Sequence, residues 1–135
     1  SGEPGKRPRP MNRPFRLSGR LESFRCAFAG LWVRLKTQHN ARIHLGATLL
    51  VVATGLFFRI ARLDWCWLVI AIMSVWVAEA LNTALEFLAD AVHPEKHPMV
   101  GKAKDAAAAA VLLTAAAAVL IGLLVLGPYI LNRLQ

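Results

Sequence analysis

The sequence predicts an all-α integral membrane protein, in which an N-terminal amphipathic surface helix precedes three transmembrane helices. Hydrophobic residues make up 56% of the 135 residues and occur in long blocks, a composition unusual for a small soluble domain. The net charge is +8, and most of the basic residues precede the first long apolar block. One apolar helix also carries a stripe of polar residues. We expect a single membrane domain, residues 18–135, after a short N-terminal tail.

The first 17 residues are rich in proline and basic residues and show no apolar periodicity, which predicts a disordered tail attracted to anionic lipid. Met11 is a candidate natural start, so that residues 1–10 would be an addition to the native chain. A basic segment can also bind nucleic acid, but no base-reading motif is present and hydrophobic helices follow at once. We therefore expect a membrane, and no nucleic acid, as a partner.

The surface helix is predicted at about residues 18–38. Its apolar residues follow helical spacing, with arginines and a lysine between them, and they are Leu21, Phe24, Phe28, Leu31 and Leu35. This pattern is typical of a helix that lies in the plane of the membrane surface. A helix packed on other helices of the same protein is an alternative, and one apolar face can serve both arrangements.

Three apolar segments predict transmembrane helices at about residues 43–62, 65–92 and 105–127. Each segment is long enough to cross the hydrocarbon core of a bilayer. The first is short, but Arg59 and Arg62 at its end can extend to the interface. Leu63 and Asp64 form the predicted turn between the first two helices.

A polar loop rich in helix breakers, residues 93–98, connects the second and third helices, and Gly127 with Pro128 is expected to end the third. The loop and its continuation to Lys104 are basic, as is the N-terminal segment. Because basic residues mark the cytoplasmic side, we expect the N-terminus and this loop in the cytoplasm.

The polar stripe consists of Glu79, Asn82, Glu86 and Asp90 on the second apolar helix. At 100° per residue these side chains fall within an arc of about 80°. Ionisable residues are costly inside a membrane helix and usually mark a functional site. The stripe is therefore the candidate site, at the cytoplasmic end of the helix.

The carboxylates of the stripe suit metal-assisted phosphoryl transfer. Glu86 and Asp90, four residues apart, repel each other unless a cation or proton lies between them. Mg²⁺ prefers one or two carboxylates together with phosphate oxygens. Glu79 lies deeper among apolar side chains, a position that suits a general base, and Lys104 can contact phosphates as a point charge. Together these features fit transfer from a nucleotide to a lipid hydroxyl.

The pattern alone leaves other interpretations open. Buried Glu and Asn can join helices or line a proton or ion pathway in a non-catalytic oligomer, and the sequence has no Gly-rich nucleotide-binding loop. Against a conducting oligomer, the third helix is apolar throughout. His93 and His97, flanked by prolines, are expected in solvated or phosphate-facing loop positions, and His39 and His44 as interfacial polar residues rather than metal ligands.

Two motifs resemble the small prokaryotic diacylglycerol kinase/undecaprenol kinase family. The first is Glu-Ala-Leu-Asn-Thr-Ala-Leu-Glu, residues 79–86, followed by Asp90, and the second is Gly-Lys-Ala-Lys-Asp, residues 101–105. The resemblance covers about residues 20–128. Further matches to the family's surface-helix and first-loop patterns occur at residues 23–30 and 40–44.

The resemblance implies ATP- and Mg²⁺-dependent phosphorylation of a lipid hydroxyl, in undecaprenol or diacylglycerol, to give the lipid phosphate and ADP. It also implies a multi-pass homotrimer of the bacterial inner membrane, with composite active sites on the cytoplasmic side. By position, Glu79 matches the catalytic base and Glu86 a ligand of the nucleotide-associated metal. The other matching active-site or nucleotide-binding positions are Asn82, Asp90, Glu95, His97, Lys104 and Asp105.

The chain departs from the family pattern at two positions. Gln38 stands where the family usually has a second metal-binding glutamate, and its amide offers Mg²⁺ a carbonyl oxygen without a negative charge. Cys26 stands where the family often has an aromatic residue beside the nucleotide base. A family member that has lost activity is therefore an alternative. Residues 40–44, Asn-Ala-Arg-Ile-His, resemble the undecaprenol kinase branch and favour a polyprenol substrate.

Overall fold

The computed structural model describes residues 22, 25–26, 29–30, 39–95 and 97–134. Its three long helices are α1 (His39–Phe58), α2 (Arg62–Val92) and α3 (Pro98–Leu134). All three are long and apolar enough to cross a membrane. The predicted all-α fold with three membrane-spanning helices is therefore confirmed.

The predicted surface helix is described at five residues, which are helical and exposed: Glu22, Arg25, Cys26, Ala29 and Gly30. The rest of that helix, including Gln38, and the predicted tail over residues 1–17 lie outside the described residues.

α2 packs extensively along α3, whereas α1 contacts both of these helices over smaller areas. Ile60, Leu68 and Leu126 form a buried cluster where the end of α1, the start of α2 and the end of α3 meet. Many large apolar side chains on all three helices are exposed. Since lipid tails are as apolar as leucine, a bilayer accommodates these faces.

The connection from α1 to α2 is a Schellman motif. Arg59 has a positive φ of 50°, and its N–H donates to the Leu56 carbonyl at 3.2 Å. The Ile60 N–H reaches back to the Gly55 carbonyl, also at 3.2 Å. These two bonds satisfy carbonyls that the end of a helix leaves without partners.

The turn therefore lies at residues 59–61, before the position that the sequence predicts. Leu63 and Asp64 belong to the first turn of α2. There the Asp64 carboxylate complements the partial positive charge of the helix N-terminus.

The helix ends also differ from the predicted ones. α1 begins at His39 rather than at about residue 43, and it ends at Phe58 rather than at about residue 62. α3 begins at Pro98, a position that proline tolerates because the first N–H of a helix has no helical partner. α3 also continues through Gly127 and Pro128 to Leu134.

Candidate active site

Glu79 is the most deeply buried charged residue among those described. It lies in the middle of α2 and is 2% exposed. Its Oε1 lies 3.3 Å from Nε2 of His44 in the second turn of α1. A carboxylate removed from water costs several kcal/mol in proteins unless partners compensate it, and the imidazole is one such partner.

Asn82 and Glu86 follow Glu79 at one-turn intervals on α2. The Asn82 amide Nδ2 donates to Glu86 Oε1 at 3.1 Å. Asn82 is 9% exposed, and its Oδ1 has no hydrogen-bond partner in the described part of the chain. A buried acceptor of this kind costs about 1–3 kcal/mol if nothing binds it. This oxygen can therefore accept a bond that the described part of the chain does not supply.

These residues line a groove of about 570 Å³ between the three helices. α1 and α2 supply its polar wall, while α3 supplies an apolar wall of small and aliphatic side chains. The lining residues are His39, Asn40, Ile43, His44, Glu79, Asn82, Glu86, Ala108, Val111, Leu112 and Ala115. A polar wall facing an apolar wall suits an amphiphilic molecule with one reactive polar group.

The other candidate residues that the structure describes lie nearer the α2–α3 connection and are not part of the groove lining. Lys104 Nζ donates to Asp90 Oδ1 at 2.5 Å, which ties the end of α2 to the start of α3. Glu95, His97 and Asp105 are exposed. His97 Nδ1 accepts a hydrogen bond from the Met99 N–H at 3.2 Å, in the first turn of α3.

The structure therefore brings together the inner residues Glu79, Asn82 and Glu86, and separately pairs Asp90 with Lys104. His44 is the contact that the sequence interpretation missed, because it assigned this histidine to the interface. The available signal was a polar side chain at the start of an otherwise apolar helix, together with a carboxylate on the next helix that needs a partner.

The groove fits a metal ion that is shared with a ligand better than a metal held by protein alone. The described residues include no cluster of three or more His, Cys, Asp or Glu that could hold a metal ion. They do offer the Glu86 carboxylate and the unpartnered Asn82 Oδ1 in one groove. Mg²⁺ usually binds one or two protein oxygens together with phosphate oxygens and water, and this donor set fits it.

The family model described as prokaryotic diacylglycerol kinase matches residues 25–126. The chain belongs to the prokaryotic diacylglycerol kinase family. The resemblance of its motifs is thereby confirmed, and the matched segment of this family member contains every residue that lines the groove.

Three curated relatives illustrate the range of similarity within the family. Undecaprenol kinase of Bacillus subtilis (strain 168) is 34% identical over 108 residues, which cover 80% of this chain and 88% of the relative. Diacylglycerol kinase of Synechocystis sp. is 36% identical over 113 residues, or 83% of this chain and 65% of the relative. Diacylglycerol kinase of Escherichia coli (strain K12) is 34% identical over 74 residues, which cover 55% of this chain and 61% of the relative. The chain thus covers less than two thirds of the length of the Synechocystis and Escherichia relatives.

Proposed function

We propose that this protein is an ATP- and Mg²⁺-dependent lipid kinase that phosphorylates the hydroxyl of a membrane lipid. Family membership supports the reaction class. The single observation that carries the assignment of the site is the buried Glu79 in a groove between membrane-spanning helices, beside Asn82 and Glu86. There a base can meet a hydroxyl that arrives from the bilayer.

In the proposed reaction, Glu79 accepts the proton of the lipid hydroxyl. The hydroxyl oxygen forms a bond to the γ-phosphorus of ATP, while the bond from that phosphorus to the β–γ bridging oxygen breaks. ADP leaves with the electron pair of the broken bond. The protein contributes mainly orientation and charge stabilisation, as is usual for phosphoryl transfer.

Glu86 and Asn82 Oδ1 are the described groups that would hold Mg²⁺ together with the nucleotide phosphates, and Gln38 is the further ligand that the family resemblance implies. When bound, Mg²⁺ neutralises the charge of the phosphates. The Asn82 amide keeps the Glu86 carboxylate oriented by the hydrogen bond from Nδ2.

We assign nucleotide binding to the polar groups near the α2–α3 connection: Asp90, Glu95, His97, Lys104 and Asp105. Lys104 would exchange part of its contact with Asp90 for a phosphate oxygen. The basic residues of this region support a cytoplasmic location for the site. We further propose a homotrimer in the bacterial inner membrane, in which exposed apolar faces of one copy meet those of another.

We propose a polyprenol such as undecaprenol as the first substrate to test. The Bacillus relative, named undecaprenol kinase, matches over 88% of its length, and the Asn-Ala-Arg-Ile-His segment favours the same branch. Diacylglycerol is the alternative, since the Synechocystis and Escherichia relatives carry that name.

The test is a panel of lipid alcohols, incubated with the full chain in detergent–lipid micelles, radiolabelled ATP and Mg²⁺. We expect labelled lipid phosphate from undecaprenol, and a rate for Glu79→Gln that is roughly 10²- to 10⁴-fold lower, as for loss of a general base. Retention of the full rate by Glu79→Gln, with unchanged helix content, would reject Glu79 as the base.

Two further measurements address the alternatives. Proton flux into liposomes without ATP consumption would favour a non-catalytic oligomer. If no lipid is labelled, Gln38→Glu tests whether activity requires the negative charge of a glutamate at position 38. Labelling by that variant would show that the unchanged protein is an inactive kinase. Continued absence of labelling would reject the kinase assignment.

A further inference from the structure

Two polar contacts join α1 to α2 in adjacent turns. In the first, His44 Nε2 lies 3.3 Å from Glu79 Oε1. In the second, the Trp76 indole Nε1–H donates to Thr48 Oγ1 at 3.1 Å. Thr48 also donates to the His44 carbonyl at 2.8 Å. The two contacts are thus connected through one turn of α1.

These contacts matter because the interface between α1 and α2 is small. α2 packs much more extensively on α3 than on α1, so apolar packing constrains the position of α1 less strongly. A hydrogen bond between apolar helices fixes their relative position. Sliding or rotating one helix would break the bond in a place where no water can replace it. The Trp76–Thr48 bond therefore specifies the register that brings His44 to Glu79.

We propose that His44 is a positioning residue for Glu79, an inference that rests on the proposed role of Glu79 as the base. With Nε2 protonated, the imidazole donates to Oε1 and fixes the direction in which the carboxylate faces the groove. The Trp76–Thr48 bond holds the turn of α1 that carries His44. A base displaced by about 1 Å can lose roughly 100-fold in rate, so the orientation of this carboxylate is a kinetic requirement.

The experiment compares His44→Ala, His44→Leu and His44→Gln with the unchanged protein, under the assay conditions of the lipid kinase test. Leu fills the space that Ala leaves empty, and Gln restores a side-chain N–H donor. We expect kcat to fall roughly 10- to 100-fold for Ala and Leu, with a much smaller fall for Gln. KM for ATP should change little, because His44 is assigned no contact with the nucleotide. A merely structural role would predict no recovery of kcat in Gln relative to Leu at equal stability.

Thr48 and Thr54 provide a matched pair for the second contact. Both are on α1, and the hydroxyl of each donates to the carbonyl four residues earlier at 2.8 Å. Thr48 additionally accepts the bond from Trp76. We expect Thr48→Val to lower kcat several-fold and Thr54→Val to leave it unchanged. Equal kcat values in these two variants would overturn the role of the Trp76–Thr48 bond.

Glu79→Gln, measured in the same series, separates this inference from the proposed function. If Glu79→Gln is inactive while His44→Ala and His44→Leu keep the original kcat, the positioning role is wrong and the base assignment stands. If Glu79→Gln keeps the full rate, the base assignment is wrong and the positioning role is wrong with it. Low rates in Glu79→Gln, His44→Ala and His44→Leu, with recovery in His44→Gln, support both.

Discussion

Gly55 near the end of α1 lies directly against the indole of Trp65 in the first turn of α2. A Cβ at Gly55 would lie 2.8 Å from Trp65 Cη2 and 3.2 Å from Ile60 Cδ1. The first distance is shorter than carbon atoms tolerate, and Ile60 is itself buried. The tight α1–α2 connection therefore requires a residue without a side chain at position 55.

Gly55→Ala should lower the free energy of unfolding by about 1–3 kcal/mol, the usual cost of overpacking. Gly46→Ala is the matched control on the same helix, because nothing lies within 4 Å of a Cβ there. Ala is favoured over Gly within a helix by roughly 0.5–1 kcal/mol, so the control should be neutral or stabilised. Titration with a denaturing detergent, followed by circular dichroism, measures both variants. Equal effects at the two positions would contradict the contact.

The hydroxyl of Tyr129 joins the end of α3 to the start of α2. It donates to Asp64 Oδ2 at 2.6 Å and accepts the Ala61 N–H at 3.1 Å. Tyr129→Phe should destabilise the protein by about 1–3 kcal/mol, because it removes a hydrogen bond to a charged carboxylate and a second one from the Ala61 N–H. Asp64→Asn keeps an acceptor oxygen and should cost less. A larger loss for Asp64→Asn than for Tyr129→Phe in the same titration would disagree with this bonding pattern.

The relative placement of Glu79, Asn82 and Glu86 is predictable because the three residues share one helix, whose geometry fixes their angles. The partner His44 is not predictable in the same way. α1 is apolar around nearly its whole circumference, so its sequence does not indicate which side faces α2. The pairing depends on packing between helices, about which periodicity within one helix carries no information.

The helix ends differ from the predicted ones because tertiary contacts outweigh local signals. Gly127 and Pro128 are helix breakers, yet Tyr129 is held by α2 and the connection before it, and α3 continues. At Arg59, in contrast, a turn forms where the local sequence gives no signal for one. Arg59 adopts a positive φ of 50°, a conformation that glycine favours, so its residue type gives no signal for the turn.

The ion pair between Lys104 and Asp90 is a test of the proposed nucleotide site. The two side chains are 36% and 68% exposed, and exposed pairs contribute only about 0–1 kcal/mol to stability. Lys104→Ala should therefore leave the unfolding midpoint almost unchanged. Loss of a charge-assisted bond to phosphate, about 1.5–3 kcal/mol, should raise KM for ATP roughly tenfold or more.

Lys102→Ala is the matched control for Lys104→Ala, because it removes the same charge from the same turn of α3. Lys102 is exposed and is not among the proposed nucleotide contacts. Initial rates over a range of ATP concentrations give KM for both variants. An equal rise in both would indicate general attraction of the nucleotide to a basic surface rather than a contact made by Lys104.

Asn82 and its neighbour Thr83 each bury a side-chain oxygen, but we propose a ligand for the Asn82 oxygen only. Asn82 Oδ1 and Thr83 Oγ1 are both buried without hydrogen-bond partners in the described residues, but of the two residues only Asn82 lines the groove. Thr83→Val removes only such an atom and should preserve or raise stability, whereas Asn82→Leu also removes the bond that Nδ2 donates to Glu86. Asn82→Leu should also raise the Mg²⁺ concentration for half-maximal rate roughly tenfold or more, whereas Thr83→Val should leave it unchanged. An unchanged Mg²⁺ dependence in Asn82→Leu would show that Asn82 is not a ligand.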